Sequence, residues 1–195
     1  MTGGDPRRVR EGAVPGAGVL GMWVFLATLT VLFLASIVGY LVVRLKATAW
    51  PPPGMPRLPA GLWLATVVLF AGSVTIHRAY RAIRLGERTG STRWLQATLA
   101  LAFSFLFVQS WNWWGLIRLR LTAASNLYAF TFFMLTGLHA AHVIGGIVLL
   151  VIVLVRSLRG RYGSDHYGGV TYAAMYWHFL DAMWLLLFAV MVVFA

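Results

Sequence analysis

Five uninterrupted apolar stretches divide this chain, at about residues 19–43, 60–77, 94–115, 127–155 and 173–194. A helix needs about 20 mainly apolar residues to cross about 30 Å of hydrocarbon, so each stretch is read as one crossing. A membrane barrel would show alternating residues over about ten positions, whereas these stretches are continuous. The expected fold is therefore all-α: a polytopic membrane protein, a bundle of five transmembrane helices. Charged residues make up only 11% of the 195, against about 25% in a soluble domain, which excludes a water-soluble reading. The first stretch is too long for the apolar region of a signal peptide and is read as an anchor. Transporter-type internal repeats are not seen.

Cysteine is absent, which removes disulfides, iron–sulfur clusters and thiol chemistry. The net charge of +11 is spread over short segments between apolar stretches, an arrangement suited to a bilayer surface and not to nucleic acid. Positive residues stay preferentially in the cytoplasm. Arg7, Arg8 and Arg10 precede the first stretch, Arg78, Arg81, Arg84, Arg88 and Arg93 follow the second, and Arg156, Arg159 and Arg161 follow the fourth. The opposite side has only Arg44, Lys46, Arg57, Arg118 and Arg120. The N-terminus is thus expected in the cytoplasm and the C-terminus outside.

Residues 1–18, rich in Gly, Pro and Arg, are expected to be a flexible cytoplasmic tail, and residues 19–195 the membrane domain. Trp50 and the three prolines after it predict a stiff outer connection anchored at the interface. If the second helix runs on past the membrane, Arg78, Arg81, Arg84 and Arg88 form one basic stripe able to hold anionic lipid headgroups.

Ionisable groups inside a membrane are expensive and therefore informative. His178 and Asp181 are three residues apart and share a helix face, so imidazole and carboxylate are expected to support each other. Asp181 is expected to have a fixed partner, which makes Asp181→Ala more damaging to assembly than His77→Ala. His139 and His142 repeat the spacing one helix earlier. Gly137, Ala141 and Gly145 form a small-residue row on which another helix can pack. Four such ligands on two helices leave open a metal site or an axial haem ligand, beside structural polar contacts or lipid headgroup ligation. Gln109 and Asn112 are expected to hydrogen-bond between helices, with Trp111, Trp113 and Trp114 as an interfacial belt. Ser73 as a nucleophile lacks a G-x-S-x-G setting and is read as packing glue.

The string from Thr136 to Gly146, T-G-L-H-A-A-H-V-I-G-G, is followed by Tyr176-Trp177-His178-Phe179-Leu180-Asp181-Ala182-Met183-Trp184. Together these resemble the T-G-F-H-G-x-H-V-x-x-G and Y-W-H-F-V-D-x-x-W patterns of subunit III of the haem–copper terminal oxidases. Gly21 to Ala27, G-M-W-V-F-L-A, resembles that family's opening pattern, and the likeness runs in order over nearly all of residues 19–194. It resembles the five-helix form, which lacks the first two of seven helices.

The resemblance implies a non-catalytic subunit without cofactors of its own. Haem and copper would sit in the catalytic subunit I beside it, with subunit II and membrane phospholipids as further partners, in a bacterial inner membrane. His139, His142, His178, Asp181, Trp177, Trp184, His77, Arg78, Arg81 and Gln109 are then expected in lipid or inter-helix polar contacts. Gly137, Ala141 and Gly145 are expected in helix packing. Where the family carries glutamates, this chain has Leu29, Asn112 and Thr171, none of which titrates, so packing and lipid roles carry over better than proton uptake. The alternatives are a subunit III-like accessory protein of nitric oxide reductase and, in another class, a His-based metal or haem carrier.

Overall fold

The computed structural model describes residues 17–56 and 58–194. The tail residues 1–16, with Arg7, Arg8 and Arg10, lie outside the described residues, as do Arg57 and Ala195. Five helices carry the fold: α1 (Ala17–Lys46), α2 (Gly61–Arg84), α3 (Arg88–Arg118), α4 (Leu127–Leu158) and α5 (Gly168–Val193). All five are long and apolar enough to cross a membrane.

Most helices run past their apolar stretch. The 30 residues of α1 span about 45 Å, more than the hydrocarbon needs. Backbone pairing continues at the bilayer surface until the chain itself breaks it. Three ends do so by the same device, a residue in the left-handed region closing the last turn: Gly86 (φ 81°), Arg120 (φ 61°) and Gly160 (φ 68°). At the first, the Glu87 N–H reaches the Ala82 carbonyl and the Gly86 N–H reaches Ile83. Leu121 to Leu116 with Arg120 to Ile117, and Arg161 to Arg156 with Gly160 to Ser157, repeat the pattern.

Two expectations change here. Helix α1 already starts at Ala17, inside the segment assigned to the tail, because Ala17 and Gly18 continue the apolar turn they precede. The turn at Gly86 ends α2 at Arg84, so Arg88 opens α3 and does not extend the arginine stripe.

Helices α2, α3, α4 and α5 close a ring, each packed on the next and α5 back on α2, while α1 lies outside against α5 and α4. Each seam carries a side-chain bond. Thr75 Oγ1 meets Thr98 Oγ1 at 2.9 Å between α2 and α3, and the Trp113 indole N–H donates to Thr136 Oγ1 at 3.0 Å between α3 and α4. The Tyr176 hydroxyl donates to the His142 carbonyl at 3.0 Å between α5 and α4, and the Trp184 indole N–H to Thr66 Oγ1 at 2.9 Å between α5 and α2. Arg44 of α1 donates through Nε to the Phe194 carbonyl at 2.8 Å, satisfying a carbonyl at the end of α5. Such bonds average about 0.6 kcal/mol between membrane helices, so they fix register while packing supplies the bulk of the stability.

The densest packing surrounds Trp177 and Trp184. Gly72 admits the Trp177 ring: a Cβ there would come within 2.9 Å of the indole nitrogen. Gly146 does the same on α4, where a Cβ would meet Tyr176, Trp177 and Leu180 at 3.1–3.3 Å. Outward, Leu20, Val31, Val67, Phe70, Phe107 and Val148 are exposed, a surface that suits hydrocarbon and not water.

Candidate functional site

The residues singled out in sequence divide among three places, set by which helix face each occupies.

His139 lies at the centre of the bundle, fully buried. Its ring centroid is 4.9 Å from that of Trp184, 5.6 Å from Phe105 and 6.2 Å from Phe33. Neither ring nitrogen has a hydrogen-bond partner among the described residues. His142, three residues on, turns its Nδ1 to the carbonyl of Leu138 in its own helix at 2.7 Å and packs its ring on Phe33. The i, i+3 spacing did put both imidazoles on one flank, but each is occupied locally.

His178 faces α2. Its Nδ1 and the Ser73 hydroxyl are 2.6 Å apart, and the exposed His77 ring lies 5.9 Å away by centroids. Its other flank lines an apolar groove of about 630 Å³ between α1 and α5, with Trp23, Thr30 and Phe179. Asp181 does not support His178, contrary to the sequence expectation. Its carboxyl is buried beside Ser73, and neither oxygen has a hydrogen-bond partner among the described residues. Residues i and i+3 diverge by about 60° around a helix, and here Ser73 occupies the His178 edge that the carboxylate was expected to hold. The hydrolase reading of Ser73 likewise finds no acid orienting the imidazole. Nor do His139, His142, His178 and Asp181 gather: no group of three potential metal ligands occurs among the described residues.

Arg78, Arg81 and Arg84 are exposed at the same end of the bundle. The Arg78 guanidinium is stacked 4.8 Å from the Trp94 ring centroid on α3, and Arg84 lies 5.5 Å from Tyr80. Arg88 rests against Gly163 in the α4–α5 connection.

Gln109 and Asn112 are buried on α3, yet the Gln109 amide and the Asn112 Nδ2 have no hydrogen-bond partner among the described residues, so the expected bonds between helices are not made. The bond from that segment comes from Trp113, which turns inward to Thr136 and leaves Trp111 and Trp114 as the exposed belt. Trp113 is one residue round from Asn112 and therefore faces α4. Trp50, expected as an anchor, packs edge-on to Tyr40 and Tyr128.

Among the described residues no helix packs along the row of Gly137, Ala141 and Gly145; the Tyr176 hydroxyl of α5 lies 3.5 Å from where a Cβ at Gly145 would stand. Ala141 and Gly145 are exposed, and a Cβ at Gly137 would meet nothing within 4 Å. The helix-packing glycine is its neighbour Gly146, one position away and hence about 100° round the helix.

This arrangement places the T-G-L-H-A-A-H and Y-W-H-F motifs against each other on α4 and α5, as the core of the bundle. A family model for cytochrome c oxidase subunit III matches residues 10–195. The chain belongs to this family. It is 34% identical over 176 residues to cytochrome c oxidase subunit 3 of Synechocystis sp., covering 89% of this chain and 74% of that one. The subunit 3 of Thermostichus vulcanus is 33% identical over 178 residues, with 91% and 87% covered. That of Tetraodon nigroviridis is 40% identical over 141 residues, with 71% and 53% covered, so the chain spans about half the length of this fish relative. As a family member it is a multi-pass membrane protein whose fold is the expected helical bundle. At the three positions where the resemblance implies glutamates, Leu29 packs against the core, Asn112 is buried, and Thr171 donates to the carbonyl of Tyr167, the N-cap of α5, at 3.4 Å.

The sequence reading missed the partners of its own motif residues. Ser73, Thr66 and Thr136 each receive a motif or Trp side chain from another helix. The available signal was that Ser and Thr in membrane spans are enriched at helix interfaces and hydrogen-bond across them.

Proposed function

We propose that this chain is the non-catalytic accessory subunit III of a respiratory haem–copper oxidase, packed beside subunit I with subunit II as a further neighbour. One observation carries the reading: the family's motif residues are packed inside the bundle, and His178, Tyr176 and Trp184 among them tie α5 to α2 and α4. His139 sits in an aromatic cage, His142 bonds its own helix, His178 is held by Ser73 and Trp184 by Thr66. Such a bundle is suited to bracing another membrane subunit, and haem and copper chemistry then belongs to that subunit.

Two further features support the proposal. The exposed Ala141 and Gly145 give α4 a flat outer face that a partner helix can approach closely. At the α2 C-terminal end, exposed His77 lies 5.9 Å from His178, which lines the α1–α5 groove, and Arg81 is exposed one turn on; together they suit a phospholipid, headgroup at the basic residues and chain in the groove. The basic residues gathered at that end support, by the positive-inside rule, an orientation with that end on the cytoplasmic side of a bacterial inner membrane and the C-terminus on the other. The named relatives are cytochrome c oxidase subunits, which favours oxygen over nitric oxide as the complex's substrate.

The test is gentle extraction of the tagged chain from its native membrane. A haem-containing polypeptide of catalytic-subunit size, identified by mass spectrometry and a Soret band, is the expected companion. Recovery of the chain without one overturns the reading.

A further inference from the structure

His77 on α2 and His178 on α5 bring their rings to 5.9 Å by centroids, tilted 53° to each other. An ion bound at about 2.0–2.1 Å to one nitrogen of each ring holds two imidazole centroids about 5–6 Å apart, so this pair stands at ligand spacing. The other histidines are placed differently. His139 is enclosed by aromatic rings, His142 turns Nδ1 to its own helix, and His166 lies exposed in the α4–α5 connection.

His178 is held as metal-ligating histidines are held, by a fixed partner on the nitrogen that does not bind the ion. Ser73 occupies Nδ1 at 2.6 Å, so an ion reaches this ring through Nε2, with Nδ1–H donating to the hydroxyl. The Asp181 carboxyl is buried beside that hydroxyl, an acidic group behind the bond. Access comes from the bilayer surface. His77 is exposed and closes the apolar stretch of α2, with Arg78 and Arg81 after it, while His178 is half-buried and lines the α1–α5 groove. Two protein ligands leave a tetrahedral ion two open positions, which water fills at that level. Of the neighbouring cations, Arg78 is drawn onto Trp94 and Arg84 toward Tyr80. Arg81 is exposed one turn on from His77 and opposes a positive ion.

We propose that His77 and His178 form a site for one divalent transition-metal ion of the zinc or copper class, clamping α2 to α5 beside the Ser73 bond. Neutral imidazoles select such ions over Mg²⁺ and Ca²⁺, which take oxygen ligands. The ligand is a cation on ring nitrogens, so it competes with a lipid phosphate for His77 and responds to Arg81 in the opposite sense. The site uses only groups of this chain, and failure to recover a haem-containing partner leaves it standing.

The detergent-solubilised full chain, without a polyhistidine tag and stripped by a chelator, is titrated with Zn²⁺ by calorimetry. One ion per chain is expected, not displaced by excess Mg²⁺. His77→Ala changes an exposed residue and is expected to weaken zinc at least about tenfold, and Ser73→Ala about tenfold through the loss of the orienting bond. Arg81→Gln is expected to tighten zinc about threefold by removing a nearby positive charge. His166→Ala should change nothing. With Cu²⁺ as the probe, electron paramagnetic resonance is expected to show coupling to two imidazoles in the wild type and one in His77→Ala. Absence of a stoichiometric zinc ion overturns the proposal, as does undiminished binding by His77→Ala or weaker binding by Arg81→Gln.

Discussion

The hydroxyl of Ser73 on α2 and Nδ1 of His178 on α5 stand 2.6 Å apart, joining residues 105 positions apart in sequence. This bond takes the Y-W-H-F histidine away from the aspartate three residues on and ties it to a neighbouring helix. Ser73→Ala leaves the imidazole nitrogen without its partner. The expected loss is about 1–2 kcal/mol for the solubilised chain, toward the upper end for membrane hydrogen bonds. Ser73→Thr keeps the hydroxyl and should recover most of it. Thermal unfolding in detergent, followed by light scattering or tryptophan fluorescence, measures both, and equal midpoints for Ser73→Ala and wild type would contradict the role.

Gly146 and Gly145 adjoin in sequence but face different surroundings. A side chain at Gly146 drives into Tyr176, Trp177 and Leu180. Gly146→Val is expected to destabilise the isolated chain by about 1–3 kcal/mol through overpacking. Gly145→Ala, on the exposed face and in ordinary contact with the Tyr176 hydroxyl, should leave the isolated chain within about 0.5 kcal/mol of wild type and lower the yield of intact complex. Unfolding of the purified chain and recovery of the complex on a sizing column separate the two. The same effect at both positions would be incompatible with the packing described.

Asp181 is buried without a hydrogen-bond partner among the described residues, so the fixed partner expected of it is not found within this chain. A buried carboxyl that bonds nothing contributes desolvation cost and little else. Asp181→Asn keeps the shape and should leave stability unchanged or raise it by up to about 2 kcal/mol. His77→Ala, at an exposed position, should change it by less than about 0.5 kcal/mol. A lowered unfolding midpoint for Asp181→Asn would show that the carboxylate has a partner after all.

Thr66 and Trp184 offer a direct measure of an inter-helix bond. Thr66→Val and Trp184→Phe each remove one side of the 2.9 Å contact. The double-mutant cycle is expected to return a coupling near 0.6 kcal/mol and below about 1.7. Additive single effects would mean that the contact contributes shape alone.

His139 provides the complementary case, an imidazole in an aromatic cage whose nitrogens bond nothing among the described residues. His139→Leu should therefore preserve or slightly raise stability, since an apolar side chain of similar size suits Trp184, Phe105 and Phe33 at least as well. A loss of more than about 2 kcal/mol in the unfolding assay would assign the ring a polar partner.

The number and approximate position of the five helices were legible in the amino-acid order, because hydrocarbon thickness sets a length that each apolar stretch must meet regardless of its neighbours. Family membership was legible for a similar reason: the T-G-L-H-A-A-H and Y-W-H-F strings are contiguous and need no folding to be read. Helix ends were less so. Arg88 looked like a continuation of the Arg78, Arg81 and Arg84 stripe until the left-handed turn at Gly86 separated them. Pairing was hidden altogether. Whether His178 meets Asp181 or Ser73, whether Gly145 or Gly146 takes the neighbouring helix, and whether Gln109 and Asn112 find partners all depend on the rotation of each helix about its axis. One residue of shift turns a side chain by about 100°, and that rotation is settled by how Trp177, Trp184 and Tyr176 seat against Gly72 and Gly146 across the bundle, contacts between residues far apart along the chain.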